Sequence, residues 1–439
     1  MISVRLALFV VMIVSGVAPQ SATASVGDGF EVRRYAVAIR PDIVSTEVSG
    51  NQTIVVRATA QSVKQLAFTP NALRISNATA DGKPISVSSG EDAIVFNLQQ
   101  ALKRGRQVTL RFQIEGKPAR GVNALDGGLY TSYFACDWMV CLQDTPGDKA
   151  AFALDLSLPV GLKSTSVGRQ AFAVAADKGI VVHRWRSARP YSPYLFAFAV
   201  GPFARQSVLT KHGEIVYLDG TGSQANLPAL FAQTPAMVAF FAEKAGVPLP
   251  DRRYVQLLVP GREAQESASF SLIGKEELDR ERDNPASDWV IAHELAHQWW
   301  GNQVTSARWQ HFWLNEGLAT FMVAAWKEHS IGKAAYENEL HVARRKVERV
   351  RQLGFDKPLA WQGTYPSLSA RRAVQYSKGA LFLDHLRTEI GDVAFWKGIR
   401  RYTRDHAGGT VTSLDFQNAM QKASGCDLSP MFSLWVYGT

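Results

Sequence analysis

The stretch "HELAHQWWGN", residues 293–302, decides how this chain is read. His293 and His297 stand four residues apart, so on a helix both imidazoles leave from the same side. That spacing lets two ring nitrogens reach one ion, while Glu294 can face a water on it. The same pattern also arises by chance on amphipathic helices, where two histidines merely share a face. A hydrolytic zinc site takes three protein donors and keeps one position open, so a third donor from another element is the discriminating feature. "WLNEGLATF", residues 313–321, supplies it: Glu316 follows His297 after eighteen intervening residues and opens a second predicted helix. Leu295 and Ala296, between the histidines, suit a buried helix. The expectation is one Zn2+ per chain on His293, His297 and Glu316, with Glu294 as general base.

Outward from this stretch, the second half reads as mainly helical with a small sheet. "GEIVYLDG" and "YVQLLVP" look like strands, whereas "NLPALFAQTPAMVAFFAEKAG", "ASDWVIAHELAHQWWGN", "NEGLATFMVAAWKEHS", "AAYENELHVARRKVERVRQ", "AVQYSKGALFLDHLRTEI" and "SLDFQNAMQKASG" look helical. From about residue 28 to 205 the period is two. Val108, Leu110, Phe112 and Ile114 alternate with Thr109, Arg111, Gln113 and Glu115, and Phe152, Leu154, Leu156 and Leu158 alternate with small or polar residues. "AIVFNL", "GIVVHRW" and "YLFAFAVGPF" read as further strands. The expected fold is therefore multidomain α+β. An all-β sandwich or saddle over residues 25–205 precedes a mainly helical domain over 206–439, and no catalytic cluster stands out in the β half.

A chain of 439 residues suits two or three domains, and 46% hydrophobic with 20% charged residues marks it as globular. The net charge of +9 raises the question of an acidic partner. Its densest basic cluster, "ARRKVERVRQ", alternates with apolar residues as a solvated helix face does, so no nucleic-acid partner is expected. Residues 1–24 carry a charged start, an apolar run and an Ala22-Thr23-Ala24 end, the pattern of a cleaved export signal; an uncleaved anchor is the alternative. The expectation is a periplasmic or secreted protein with no stable membrane insertion after cleavage. Export permits a disulfide: Cys136 and Cys141 are close enough to pair, though their spacing does not prove it, and a leftover free thiol is expected to be buried. Sequons at Asn51 and Asn77 matter only in a glycosylating source.

"HELAHQWWGN" with "WLNEG" resembles the gluzincin metallopeptidases, more narrowly the aminopeptidase N and leukotriene hydrolase family. "SPYLFAFAVGPF", "CLQDTPGDKAAFALDLSLP" (with Cys141 displaced by one position) and "AVQYSKGALFLDHL" extend the resemblance over nearly the whole mature chain. It implies a thermolysin-like catalytic domain, here in a short form without the C-terminal helical domain of longer members. It also implies peptide substrates and an oxyanion donor at Tyr376. Lys378 is expected to be structural or to brace a site residue from behind. Thr320, one turn after Glu316, either orients that carboxylate or packs.

An aminopeptidase must also recognise a free α-ammonium, which a carboxylate near the metal does by charge-assisted hydrogen bonding. The family's Gly-Ala-Met-Glu-Asn loop corresponds to "REAQESASF", residues 262–270, where Glu266 takes the glutamate position and Glu263 is the alternative. Glycine, methionine and asparagine are replaced, and Ser267 is expected to contact substrate backbone less well than asparagine. The family also places a glutamine or glutamate from the β domain near the amine. None stands in "YTSYFACDW", although Gln143 is close in sequence. The leading reading is an exported zinc aminopeptidase. An open-cleft zinc endopeptidase and a non-catalytic zinc-binding interaction module are the alternatives, with a lipid epoxide hydrolase further behind.

Overall fold

A computed structural model describes residues 25–175, 179–223, 226–282 and 288–438. The export-signal segment lies outside these residues. The first half is built on an eight-stranded sheet in the order Arg169–Ala175, Ile180–Arg186, Ala151–Pro159, Phe30–Pro41, Val48–Ala58, Gln107–Gly116, Arg74–Ala80, Lys83–Pro84. Three- and four-stranded sheets pack with it. In Gln107–Gly116, Val108, Leu110, Phe112 and Ile114 are buried, as period-two alternation requires. The stretch "YLFAFAVGPF" is only half strand. Pro193–Leu195 form a 3-10 turn before the strand Phe198–Gly201, because Pro193 fixes a turn-compatible backbone angle at its start.

The second half holds a five-stranded sheet in the order Ala204–Thr210, Gly213–Asp219, Arg253–Val259, Phe270–Gly274, Ala264–Ser267. Its last member is an edge strand, paired only with Phe270–Gly274. The helices behind it include the histidine helix Trp289–Ala296, the glutamate helix Trp313–Ser330 and the amphipathic Lys333–Gln352. The last of these buries Tyr336, Leu340, Ala343, Val347 and Val350 and turns its basic residues outward, as expected of a solvated face. The histidine helix is shorter than its sequence pattern. It stops at Ala296, and residues 297–299 form a turn, because Gly301 has φ of +132° and Trp300 bridges to Val304.

The two halves share contacts through several knots. Asp251 accepts hydrogen bonds from Tyr191 Oη (2.6 Å) and Ser269 Oγ (2.8 Å), with Arg189 at 3.5 Å. Lys149 Nζ, from the β half, donates to the carbonyls of Asn302 (3.2 Å) and Gln303 (2.9 Å), directly beyond the histidine helix. Cys136 and Cys141 are disulfide-bonded. The expectation of a buried leftover thiol is corrected: Cys426 is exposed, since it follows the left-handed Gly425 that ends the helix Ser413–Ser424 and sits in the loop beyond. Among the described residues no helix is long and apolar enough to cross a membrane.

Candidate active site

The histidine and glutamate helices pack together and bring His293, His297 and Glu316 to one point, all three at 3% exposure or less. His293 Nε2 and His297 Nε2 are 3.2 Å apart, and each lies 3.3 Å from Glu316 Oε2. Zinc–donor distances of about 2.0–2.1 Å at a tetrahedral angle place donors about 3.3 Å apart, so this triangle has the edge lengths of a zinc face. His297 Nδ1 lies 3.0 Å from the Trp300 carbonyl, an acceptor, so Nδ1 keeps its proton and Nε2 is the nitrogen a metal would take in place of a proton. Glu316 Oε2 is buried without a hydrogen bond among the described residues.

Electrostatics agree with a cation at this point. Burial pulls the His293 imidazole down to about 4 against the opposing pull of Glu316. Burial also acts to lower His297, but Glu316, Glu266 and Glu294 outweigh it and lift the ring to about 10. The carboxylates thus hold a positive charge at the donor triangle, where a dication would sit. The donor set and its geometry fit zinc.

His293 is clamped between two rings. Trp289 stacks on it at 4.5 Å and 14°, and Tyr376 at 5.6 Å and 15°. Tyr376 lies in the π-helical turn Ala373–Lys378 that leads into the helix Gly379–Ile390. A π-turn widens the helix locally, a distortion frequent at functional sites. The turn is pressed onto the glutamate helix by two glycines: a Cβ on Gly317 would lie 2.9 Å from Gly379 Cα. Gly317 follows Glu316 and Gly379 closes "YSKG", so this close approach brings Tyr376 and Glu316 together. Lys378 is structural, its Nζ bonded to Asp356 Oδ1 (2.6 Å) and the Lys357 carbonyl (2.8 Å). Thr320 Oγ1 is buried without a hydrogen-bond partner among the described residues, and it makes no orienting bond to Glu316.

Glu294 is 5% exposed, and its Oε2 has no hydrogen-bond partner among the described residues. Burial raises its carboxyl well above the usual range, Glu266 and Glu316 add to the rise, and His297 and Arg372 oppose it. Glu266 sits on the edge strand Ala264–Ser267 and is half-buried. Its carboxyl is raised to about 7 by burial, with His297 lowering it and Glu316 raising it, so it lies within the electrostatic reach of the donor triangle. Glu263 faces elsewhere: its Oε1 accepts from Ser132 Oγ at 3.4 Å. Ser267 is fully buried, so its side chain lies beneath the strand and not along the substrate edge.

"HQWWGN" has a second role that sequence reasoning left unassigned. Gln298 Nε2 donates to the Ser267 carbonyl (3.1 Å) while its Oε1 accepts from Ser269 N (3.0 Å). Asn302 Nδ2 donates to the carbonyls of Ser267 (3.2 Å) and Glu266 (3.4 Å). The segment that carries His297 thereby fixes the edge strand that carries Glu266.

Three neighbours were missed. Trp289 lies four residues before His293 and Arg372 four before Tyr376, so helical spacing was the available signal for both. Tyr133 lies in "YTSYFACDW", the stretch the resemblance places near the amine, but its own contact depends on a tertiary turn with φ of +54°. It brings the β half to the edge strand: its Oη donates to the Ala264 carbonyl (2.5 Å) and its backbone N to Gln265 Oε1 (2.8 Å). Gln143 braces this turn through the Tyr133 carbonyl (2.9 Å).

The chain has the fold of a gluzincin-type M1 zinc metallopeptidase, the aminopeptidase N and leukotriene hydrolase family. Residues 233–435 match the Peptidase family M1 domain. Aminopeptidase N of Streptomyces lividans is 30% identical over 265 residues, covering 56% of this chain and 31% of that protein. Aminopeptidase N of Lactobacillus delbrueckii subsp. lactis is 25% identical over 401 residues, covering 83% and 46%. This chain spans less than half the length of either relative. An M1 zinc metallopeptidase of Deinococcus radiodurans, solved as a glutamate-to-alanine mutant bound to a Tyr-Ser-Ala substrate, superposes with a TM-score of 0.77 at 23% identity, covering 94% of this chain and 95% of that one.

Proposed function

We propose that this chain is an exported zinc aminopeptidase that hydrolyses N-terminal residues from peptides. One observation carries the reading. Glu266 stands on an edge strand that packs against the histidine helix and is tied to the turn after it by Asn302, and its carboxyl feels the charges of His297, Glu316 and Glu294. An edge strand pairs with an extended peptide through the backbone groups its own fold leaves unbonded, and a carboxylate at its end stops the peptide at a free ammonium. Peptide-bound and amino-acid-bound neighbours of the same fold support it, as do the aminopeptidase names of the relatives. Export belongs to the same reading, and the Cys136–Cys141 bridge supports it.

Bound by His293, His297 and Glu316, zinc supplies Lewis acidity that acidifies water and polarises a carbonyl. Glu294 takes the proton of the attacking water and passes it to the leaving amine. Burial, with Glu266 and Glu316 nearby, raises its proton affinity and suits it to that exchange. The Tyr376 hydroxyl donates to the oxyanion of the tetrahedral intermediate, and its ring is held against His293 for that purpose. Glu266 and the edge-strand backbone orient the substrate.

The reading is tested with paired peptides, one free and one N-acetylated, with products identified by mass spectrometry. Release of single N-terminal residues from the free peptide alone is expected. Equal cleavage of both peptides makes the chain an endopeptidase. Glu294→Gln is expected to lower turnover by about 10²-fold or more while zinc remains at one per chain. Unchanged function in that variant makes the chain a zinc-binding scaffold.

A further inference from the structure

A cavity of about 550 Å³ opens at the junction of the two halves and shares no lining residue with the zinc site. Lys163, Arg169, Arg205, Arg252 and Arg253 line it, and Glu214 is the one carboxylate among its lining residues. Most of these cations are tied by neutral acceptors. Lys163 Nζ donates to the Phe203 carbonyl (2.5 Å), Arg169 to the Asp251 carbonyl (2.6 and 2.9 Å) and Arg252 to the Lys211 carbonyl (3.3 Å). A carbonyl satisfies a hydrogen bond and leaves the charge in place. Among the described residues Arg205 alone of these cations has an ion-pair partner, Glu214 at 2.5 Å.

Arg253 is the telling member. Its guanidinium makes no hydrogen bond or ion pair among the described residues, and Nη1 is fully buried without a partner. Its single clear contact is the face of Trp185, 5.2 Å from the ring centroid, and Trp185 also lines the cavity. Burial lowers its pKa to about 10; Glu214 opposes the fall, and Arg205 and Arg169 add to it. An unsatisfied guanidinium among like charges is costly, and an anion in the cavity relieves both the missing hydrogen bonds and the repulsion.

We propose that this junction cavity binds a small multivalent anion bearing phosphate groups. A lone carboxylate is satisfied by one guanidinium fork. Here cations converge from both halves, Lys163 and Arg169 on the β side and Arg205, Arg252 and Arg253 on the other, which suits several non-coplanar oxygens. The volume lies in the range of small-ligand sites. Bound there, the anion bridges the halves without touching the zinc centre.

The probe is inorganic pyrophosphate, titrated calorimetrically into zinc-loaded protein at constant ionic strength, with citrate as the polycarboxylate comparison. Saturable one-to-one binding of pyrophosphate is expected, with citrate weaker by about tenfold or more. Arg253→Met keeps the stack on Trp185 and removes the donors; it is expected to weaken pyrophosphate by about tenfold or more. Arg252→Gln, at an exposed position, is expected to weaken it in the same direction. Peptide hydrolysis in the absence of the anion stays at the wild-type rate in both. Heat no greater than with chloride, binding that survives in both variants, or citrate binding as tightly as pyrophosphate overturns the proposal.

Discussion

His297 shows how closely a single donor side chain is specified. The Trp300 carbonyl fixes its tautomer, and Gly301 makes room for its ring: a Cβ on Gly301 would lie 2.9 Å from His297 Nδ1. The backbone there also has φ of +132°, which penalises any side chain. Gly301→Ala is therefore expected to displace the ring and weaken zinc by about 10–100-fold, read by chelator competition. The donors themselves were legible in sequence, because four-residue spacing on a helix is a local rule and Glu316 opens a recognisable second helix. The glycine's contact with the ring was not, since it depends on the helix stopping at Ala296, short of its apolar pattern.

At the scale of elements, the site is a product of two contacts. One ties the edge strand to the turn after the histidine helix through Gln298 and Asn302. The other presses the π-turn of Tyr376 onto the glutamate helix through Gly317 and Gly379. Gly317→Ala forces these elements apart. Overpacking of this kind costs about 1–3 kcal/mol, to be read by denaturant unfolding, and kcat is expected to fall more than KM rises as Tyr376 moves from Glu316. Alternation in residues 107–116 and the helical periods made the elements legible in sequence. Their junctions were less so: the break at Ala296, the turn at Pro193–Leu195 and the approach of Tyr133 all arise from tertiary pairing, which periodicity does not encode. Within the degenerate "REAQESASF", Ala264–Ser267 still form a strand paired with Phe270–Gly274, and the strand is held to the turn after the histidine helix through backbone carbonyls that any sequence supplies.

For the whole molecule, the relation of the two halves matters as much as either core. Lys149 bonds the β half to the carbonyls of Asn302 and Gln303, and burial together with Arg189 lowers its ammonium to about 7. The unfolded chain keeps that proton up to about pH 10. Between these values the unfolded state binds more protons, so stability from this group rises with pH from about 7 towards 10 and is lost again as pH falls through 7. Lys149→Met is expected to flatten that rise, measured as the urea midpoint at pH 7 and pH 9 in both proteins.

In the proposed function, Glu266 turns a general peptide-hydrolysing centre into one that reads a free N-terminus. The direct measurement is kcat/KM of wild type and Glu266→Ala on a peptide with a free amine and on its N-acetylated counterpart. The predicted result is a loss of about tenfold or more on the free-amine peptide, the scale of one charge-assisted hydrogen bond, with the low rate on the acetylated peptide unchanged or raised. An equal loss on both peptides, or no loss on either, contradicts the account.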